Sequence, residues 1–191
     1  MKSLLSLFDY TGNWSRPYRE AGWNVVQVDI QLGQDILLWD YNQYPDNYFA
    51  GILAAVPCTA YANSGARWFE EKDADGTTDY FDALTRKTLE IIDYFRPGLD
   101  FWVIENPVGR IAKRVPELAK YRLLSFDPAD FGDPYTKKTI LYGEFRPWLV
   151  RSPVKPTEGS KMHRLPPSPQ RAALRSETPM GFAYAFFNAN Q

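Results

Sequence analysis

Apolar runs alternate with polar turns and one long amphipathic stretch. Leu4 to Phe8 is a short apolar run that suits a central strand, and Trp23 to Asp29 reads as a second strand ending in a carboxylate. Between them, Gly12 permits a tight turn, Ser15 or Asn13 can cap a helix over Arg16 to Ala21, and Gly22 ends it. Tyr48 to Val56 is a buried strand stopped by Pro57. Thr78 to Phe95 carries Phe81, Leu84, Thr88, Ile91, Ile92 and Phe95 on one helical face, with Asp79 or Thr78 as cap and Pro97-Gly98 as stop. Leu99 to Ile104 is a further buried strand, stopping at Glu105-Asn106-Pro107. A helix over Arg110 to Ala119, interrupted at Pro116, precedes strands at Tyr121–Phe126 and Thr139–Tyr142. Residues 147–169 are proline-rich and basic without periodicity, a loop, and Thr178 to Asn188 is a packed terminal helix through Phe182, Ala183, Ala185 and Phe186. Strands alternating with helices predict an α/β fold on a mostly parallel sheet.

At 191 residues, 45% of them hydrophobic and 16% aromatic, the chain can bury one core. The expected organisation is a single domain, with residues 1–145 as the catalytic unit and 146–191 as a basic, Pro-rich segment and helix packing on it. One cysteine excludes an internal disulfide, and no run approaches the ~20 apolar residues of a membrane span, so a monomer in the cytoplasm, without membrane contact, is expected. The formal net charge of −1 hides an asymmetry, because between Arg146 and Arg175 seven basic residues face the single acid Glu158. Such a stretch is either a solvated face or a surface that meets a polyanion.

The candidate chemistry lies at strand ends. Cys58, the one cysteine, follows the Pro57 stop. A lone cysteine serves either as a small buried hydrophobe or as a nucleophile. Right-handed crossovers make successive parallel strands neighbours, which puts Glu105 beside Cys58. Strand, Gly12 turn, helix and Asp29 follow the nucleotide-binding βαβ plan, in which the acid takes ribose hydroxyls. Asp35 adds a carboxylate after a turn, residues 59–76 form a long segment suited to closing over a site, and His163 reads as a surface or phosphate-contacting residue.

Together these motifs resemble the cytosine-5 DNA methyltransferases, in the compact form encoded by bacteriophages. Ser6-Leu7-Phe8 with Thr11-Gly12 is similar to the family's first cofactor motif, Asp29 to its ribose acid, and Asp35-Ile36 to its adenine-reading pair. Pro57-Cys58 and Glu105-Asn106 resemble the nucleophile and Glu-Asn motifs. Phe131 to Thr139 resembles the Tyr-Gly-x-Pro-Gln-x-Arg-x-Arg segment, with Tyr135 for Gln, Lys137 for the first Arg and Thr139 for the second. The resemblance implies a Rossmann-like, S-adenosylmethionine-dependent methyltransferase fold with helices on both faces of the sheet, and DNA as partner, as in restriction-modification. It implies Cys58, Glu105 and Lys137 as catalytic residues, and Phe8, Thr11, Gly12, Asp29, Ile30, Asp35, Ile36 and Pro57 at S-adenosyl-L-methionine. Pro57, Asn106, Arg67 and Lys137 would hold the substrate, and no metal is implied. A large target-recognition region is expected to be missing. Single-stranded DNA or a free pyrimidine nucleotide is therefore an alternative substrate, and the changes at 135, 137 and 139 also allow a non-catalytic cofactor- or DNA-binding relative.

Overall fold

The structure, a computed structural model, describes residues 1–166, 168 and 171–191; the side chains of His163 and of residues 171–173 lie outside the description. Six strands, β1 (Ser3–Leu7), β2 (Asn24–Val28), β3 (Gly51–Ala54), β4 (Phe101–Pro107), β5 (Arg122–Phe126) and β6 (Thr139–Glu144), form one sheet in the order β2-β1-β3-β4-β6-β5. The described helices are α1 (Arg16–Glu20), α2 (Phe69–Ala74), α3 (Thr77–Phe95), α4 (Ile111–Arg114), α5 (Lys161–Arg164), α6 (Arg171–Ser176) and α7 (Met180–Ala189). The fold is α/β with a mostly parallel sheet: β1, β2, β3 and β4 run parallel, and β6 is inserted antiparallel between β4 and β5.

The central strands are buried along their whole length because helices cover both faces, which is why they read as continuous apolar runs. Strand alternation sends Leu5, Leu7, Ile52 and Ile104 into a core with Leu84, Ile91, Ile92 and Phe95 of α3. Leu4, Leu53, Phe101 and Val103 meet Tyr18 of α1 and Phe182 and Phe186 of α7 on the other face. Phe182 stacks on Phe126 with ring centroids 4.1 Å apart.

Several expectations from the sequence change. The third strand is shorter than Tyr48–Val56: Tyr48 is exposed and joins Tyr44 and Phe49 in an aromatic group before the strand begins. The fourth strand does not stop before Glu105. Its parallel pairing ends at Ala54↔Ile104, but β6 continues it through Glu105↔Leu141, Asn106↔Ile140 and Pro107↔Thr139. Neither Asp79 nor Thr78 caps α3: Gly76 turns in the left-handed region (φ 80°) and Asp75 Oδ1 accepts from Thr77 N at 2.8 Å. Ser15 precedes α1 without capping it, its hydroxyl being taken by Asp9 at 2.8 Å.

Residues 59–76 are not an open loop either. They form a 3-10 turn (Asn63–Trp68) and α2, fastened by Arg110, whose guanidinium grips Asp73 twice at 2.7 Å and lies 3.7 Å from the Phe69 ring. The basic stretch contains α5 and is laced to the body, with Ser152 N donating to Asp130 O at 3.0 Å and Val154 N to Ala129 O at 2.8 Å.

Candidate active site

At the C-terminal edge of the parallel strands a cavity of about 230 Å³ is lined by Phe8, Val28, Asp29, Ile30, Gln34, Asp35, Ile36, Pro57, Tyr80, Phe81 and Leu84. Its walls come from the ends of β1, β2 and β3 and from the start of α3. Phe8 follows β1 with φ 58°, the one non-glycine residue at positive φ among those described, and its N donates to Val28 O at 2.9 Å. A bulky residue in that region carries strain, held here between β1 and the turn that follows it. The chain after Asp29 folds back on itself: Gln31 N donates to Asp29 Oδ1 at 2.8 Å, Gly33 turns at φ 80°, and Gln34 N donates to Asp29 O at 3.1 Å. That reversal brings Asp29 and Asp35 to one cavity.

Of the residues expected at a cofactor, Phe8, Asp29, Ile30, Asp35, Ile36 and Pro57 are on this wall; Thr11 and Gly12 are not. Thr11 is exposed, and Gly12, at φ 68°, abuts the side chains of Gln27 and Arg19. Val28, Gln34 and Tyr80 had no motif to mark them, while Phe81 and Leu84 belonged to an apolar stripe that reads as core. Behind the first turn lies Asp9, 5% exposed, accepting from Ser6 Oγ at 2.9 Å, Ser15 N at 3.1 Å and Ser15 Oγ at 2.8 Å. Burial raises its carboxyl pKa above the usual value despite these donors.

Cys58 sits one residue beyond the cavity wall. Its loop is stitched to the chain after β4: Asn106 Nδ2 donates to Val56 O at 2.8 Å, Asn63 N to Val108 O at 3.0 Å, and Arg110 N to Tyr61 O at 2.9 Å. Gly109 makes the closest approach, and a Cβ there would overlap Tyr61 O. Asn106 is fully buried and its Oδ1 has no partner among the described residues. Glu105, 8% exposed, faces Lys137 with Oε1 and Nζ 3.9 Å apart.

Burial pushes the half-buried Cys58 thiol upward; Lys137 opposes this, Glu105 adds to it, and Arg175 opposes it. Cys58, Glu105, Asn106 and Lys137 are thus brought together. Arg67 is exposed, with its guanidinium 5.0 Å from the Trp68 ring. The sequence reading missed Arg110 and Arg175, for which only a basic side chain was visible. His163 belongs to α5, but its side chain lies outside the described residues.

A larger depression of about 390 Å³ lies between the C-terminal half of α3 and the 3-10 turn at Pro116–Tyr121. Four of its charged residues pair with one another, Arg96 with Asp93 at 2.9 Å and Arg86 with Glu117 at 3.8 Å, and it holds none of the expected site residues. Among the described residues no group of acidic, Cys or His side chains could hold a metal, and no helix is long and apolar enough to cross a membrane.

No protein-family model matches the chain, and no curated protein matches it. Among solved structures, a candidate DNA modification methyltransferase encoded within a prophage (E. coli) aligns at 15% identity and a TM-score of 0.46, over 88% of this chain and 49% of its own. The Entamoeba histolytica methyltransferase EhMeth aligns at 13% identity and a TM-score of 0.49, over 88% of this chain and 61% of its own. The chain therefore spans less than two thirds of either.

Proposed function

We propose that the chain is an S-adenosylmethionine-dependent methyltransferase acting on carbon 5 of cytosine in DNA, with Cys58 as nucleophile. The observation that carries this reading is the meeting, at one sheet edge, of a loop cysteine, the Glu105–Lys137 pair and a cavity bearing two carboxylates. An open α/β sheet binds ligands at that edge.

The cavity fits an adenosine-bearing cofactor by its donor set. Asp29 and Asp35 are acceptors suited to ribose hydroxyls and an adenine amino group, and Ile30, Ile36 and Phe81 offer apolar surface to the rings. When bound, S-adenosylmethionine supplies an electrophilic methyl group. Cytosine carbon 5 is too weak a nucleophile to take it unaided. The Cys58 thiolate would add to carbon 6, forming a carbon–sulfur bond and leaving an enamine-like ring whose carbon 5 is nucleophilic. Glu105, in its protonated form, would donate to ring nitrogen 3 and offset the charge that develops during attack, with Lys137 beside it. Asn106 orients the nucleophile loop through Val56 O. Carbon 5 would then take the methyl group as the sulfonium–methyl bond breaks, and transfer of the carbon 5 proton to a base would break the carbon–sulfur bond and release the Cys58 thiolate. A base in duplex DNA must first be flipped from the stack to reach a thiol so placed.

Incubation with labelled S-adenosylmethionine and an oligonucleotide carrying 5-fluorocytosine should trap a covalent adduct, since the fluorine blocks elimination. Cys58→Ala should abolish both the adduct and 5-methylcytosine formation on ordinary DNA. Undiminished methylation by Cys58→Ala would sink the nucleophile assignment.

A further inference from the structure

The far end of the chain returns to the segment that follows Cys58. Helix α7 is docked by Gly181, whose N donates to Asp133 Oδ2 at 3.3 Å and whose missing side chain makes room for Phe131 O. Thr178 and Pro179, just before it, are buried, and this anchors the end of α6. Arg175 on α6 is thereby held half-buried with Nη2 3.4 Å from Ser64 Oγ, on the segment that follows Cys58 and 111 residues away in sequence. Its positive charge reaches the cysteine, as that of Lys137 does.

The two cations differ in what they face. Lys137 looks at Glu105 across 3.9 Å, whereas Arg175 has no carboxylate partner among the described residues. One hydroxyl contact occupies little of a guanidinium that carries five donors in a rigid fork. A half-buried cation in that condition is matched by an anion that two parallel hydrogen bonds can hold, and phosphate has that geometry. In the reading of Cys58 as a pyrimidine nucleophile, on which this step rests, a phosphate accompanies the base.

We propose that Arg175 is a substrate-binding residue that holds a phosphate of the nucleotide whose pyrimidine meets Cys58, whether in a polynucleotide or a free nucleotide. The C-terminal segment is then part of the active site, supplying a guanidinium where Lys137 and Thr139 offer none.

The test compares the full-length wild type with Arg175→Gln, Arg175→Lys and Ser64→Ala, each checked for an unchanged melting temperature. Binding of a fluorescein-labelled single-stranded oligonucleotide is followed by anisotropy across a salt series, which needs no chemistry. Arg175→Gln should weaken binding about tenfold and reduce the salt slope by about 0.7 to 1, the share of one phosphate contact. Arg175→Lys should recover part of the loss, and Ser64→Ala should bind within about twofold of the wild type. In turnover Arg175→Gln should raise KM about tenfold with kcat nearly kept. A free-nucleotide arm separates the two sources: if dCMP is a ligand, its advantage over deoxycytidine should vanish in Arg175→Gln, whereas equal losses for both would place Arg175 on the base and overturn the proposal. An unchanged salt slope, or a wild type that binds neither oligonucleotide nor dCMP, overturns it too. Absence of the 5-fluorocytosine adduct with a salt slope that still depends on Arg175 would instead remove the cytosine chemistry and leave the phosphate site.

Discussion

Cys58 is a thiol held back by its surroundings and helped by two cations. Burial raises it, and Lys137 and Arg175 work against that rise. Thiolate is the reactive species, so its alkylation by iodoacetamide should gain speed only above the range of a free thiol. Lys137→Ala should move that midpoint further up, as a pH series of alkylation rates would read; a midpoint lower than in the wild type would contradict the electrostatic picture. Asp9 carries a second residue-scale prediction. Its pKa is raised in the folded state, so the native protein binds the proton more tightly than the unfolded chain. Its contribution to stability therefore grows as pH falls through the raised value toward the ordinary 3.8. Asp9→Asn keeps an acceptor for Ser6 and Ser15 and should remove that gain on acidification. Asp9→Ala strands those donors and should cost about 2 kcal/mol in denaturant melts near neutral pH.

At the scale of elements, the loop after β3 and the turn after β4 behave as one piece. Arg110 N and Asn63 N cross-link them, and Gly109 allows the backbones to touch. Gly109→Ala forces Tyr61 O away and should destabilise the protein by about 1 to 3 kcal/mol, as overpacking does. It should also lower methyl transfer more than cofactor binding, because the cavity lies on the other side of Pro57; equal losses in both would show that the two elements do not position Cys58. Arg110 has the wider reach, holding α2 through Asp73, α3 through Thr78 Oγ1 at 3.0 Å and the cysteine loop through Ala60 O at 2.9 Å. Nothing local to Arg110 announces that role, since an arginine at a helix start usually reads as surface. The apolar strands were legible for the opposite reason: a strand covered on both faces has no polar position to disguise it.

For the whole molecule, the fold puts the cavity that holds Asp29 and Asp35 beside the loop of Cys58, with Pro57 in the wall between them, and on the proposed reading that cavity takes the methyl donor. S-adenosylhomocysteine, which keeps the adenosine, should then raise the melting temperature by an amount that grows with the logarithm of its concentration above Kd. Asp29→Ala or Asp35→Ala should each weaken that binding about tenfold by calorimetry, the worth of one hydrogen-bonded carboxylate. Full affinity in both variants would move the cofactor elsewhere.

By itself the sequence determined the apolar strands, the amphipathic helix through Phe81 and Phe95, and the placing of Asp29 directly after β2 and of Cys58 on the loop after β3. Those features are written in local periodicity and in the residues that stop a strand. The tertiary structure alone decided that β6 runs antiparallel between β4 and β5 and carries β4 past Glu105, that α3 contributes Tyr80 to the cavity, and that Arg175 returns to Ser64 on the segment after Cys58. Each of these joins residues far apart in the chain, the strand pairing through backbone groups and the Tyr80 and Arg175 placements through side chains equally suited to a solvated surface. Which of them meet is settled when both faces of the sheet are buried.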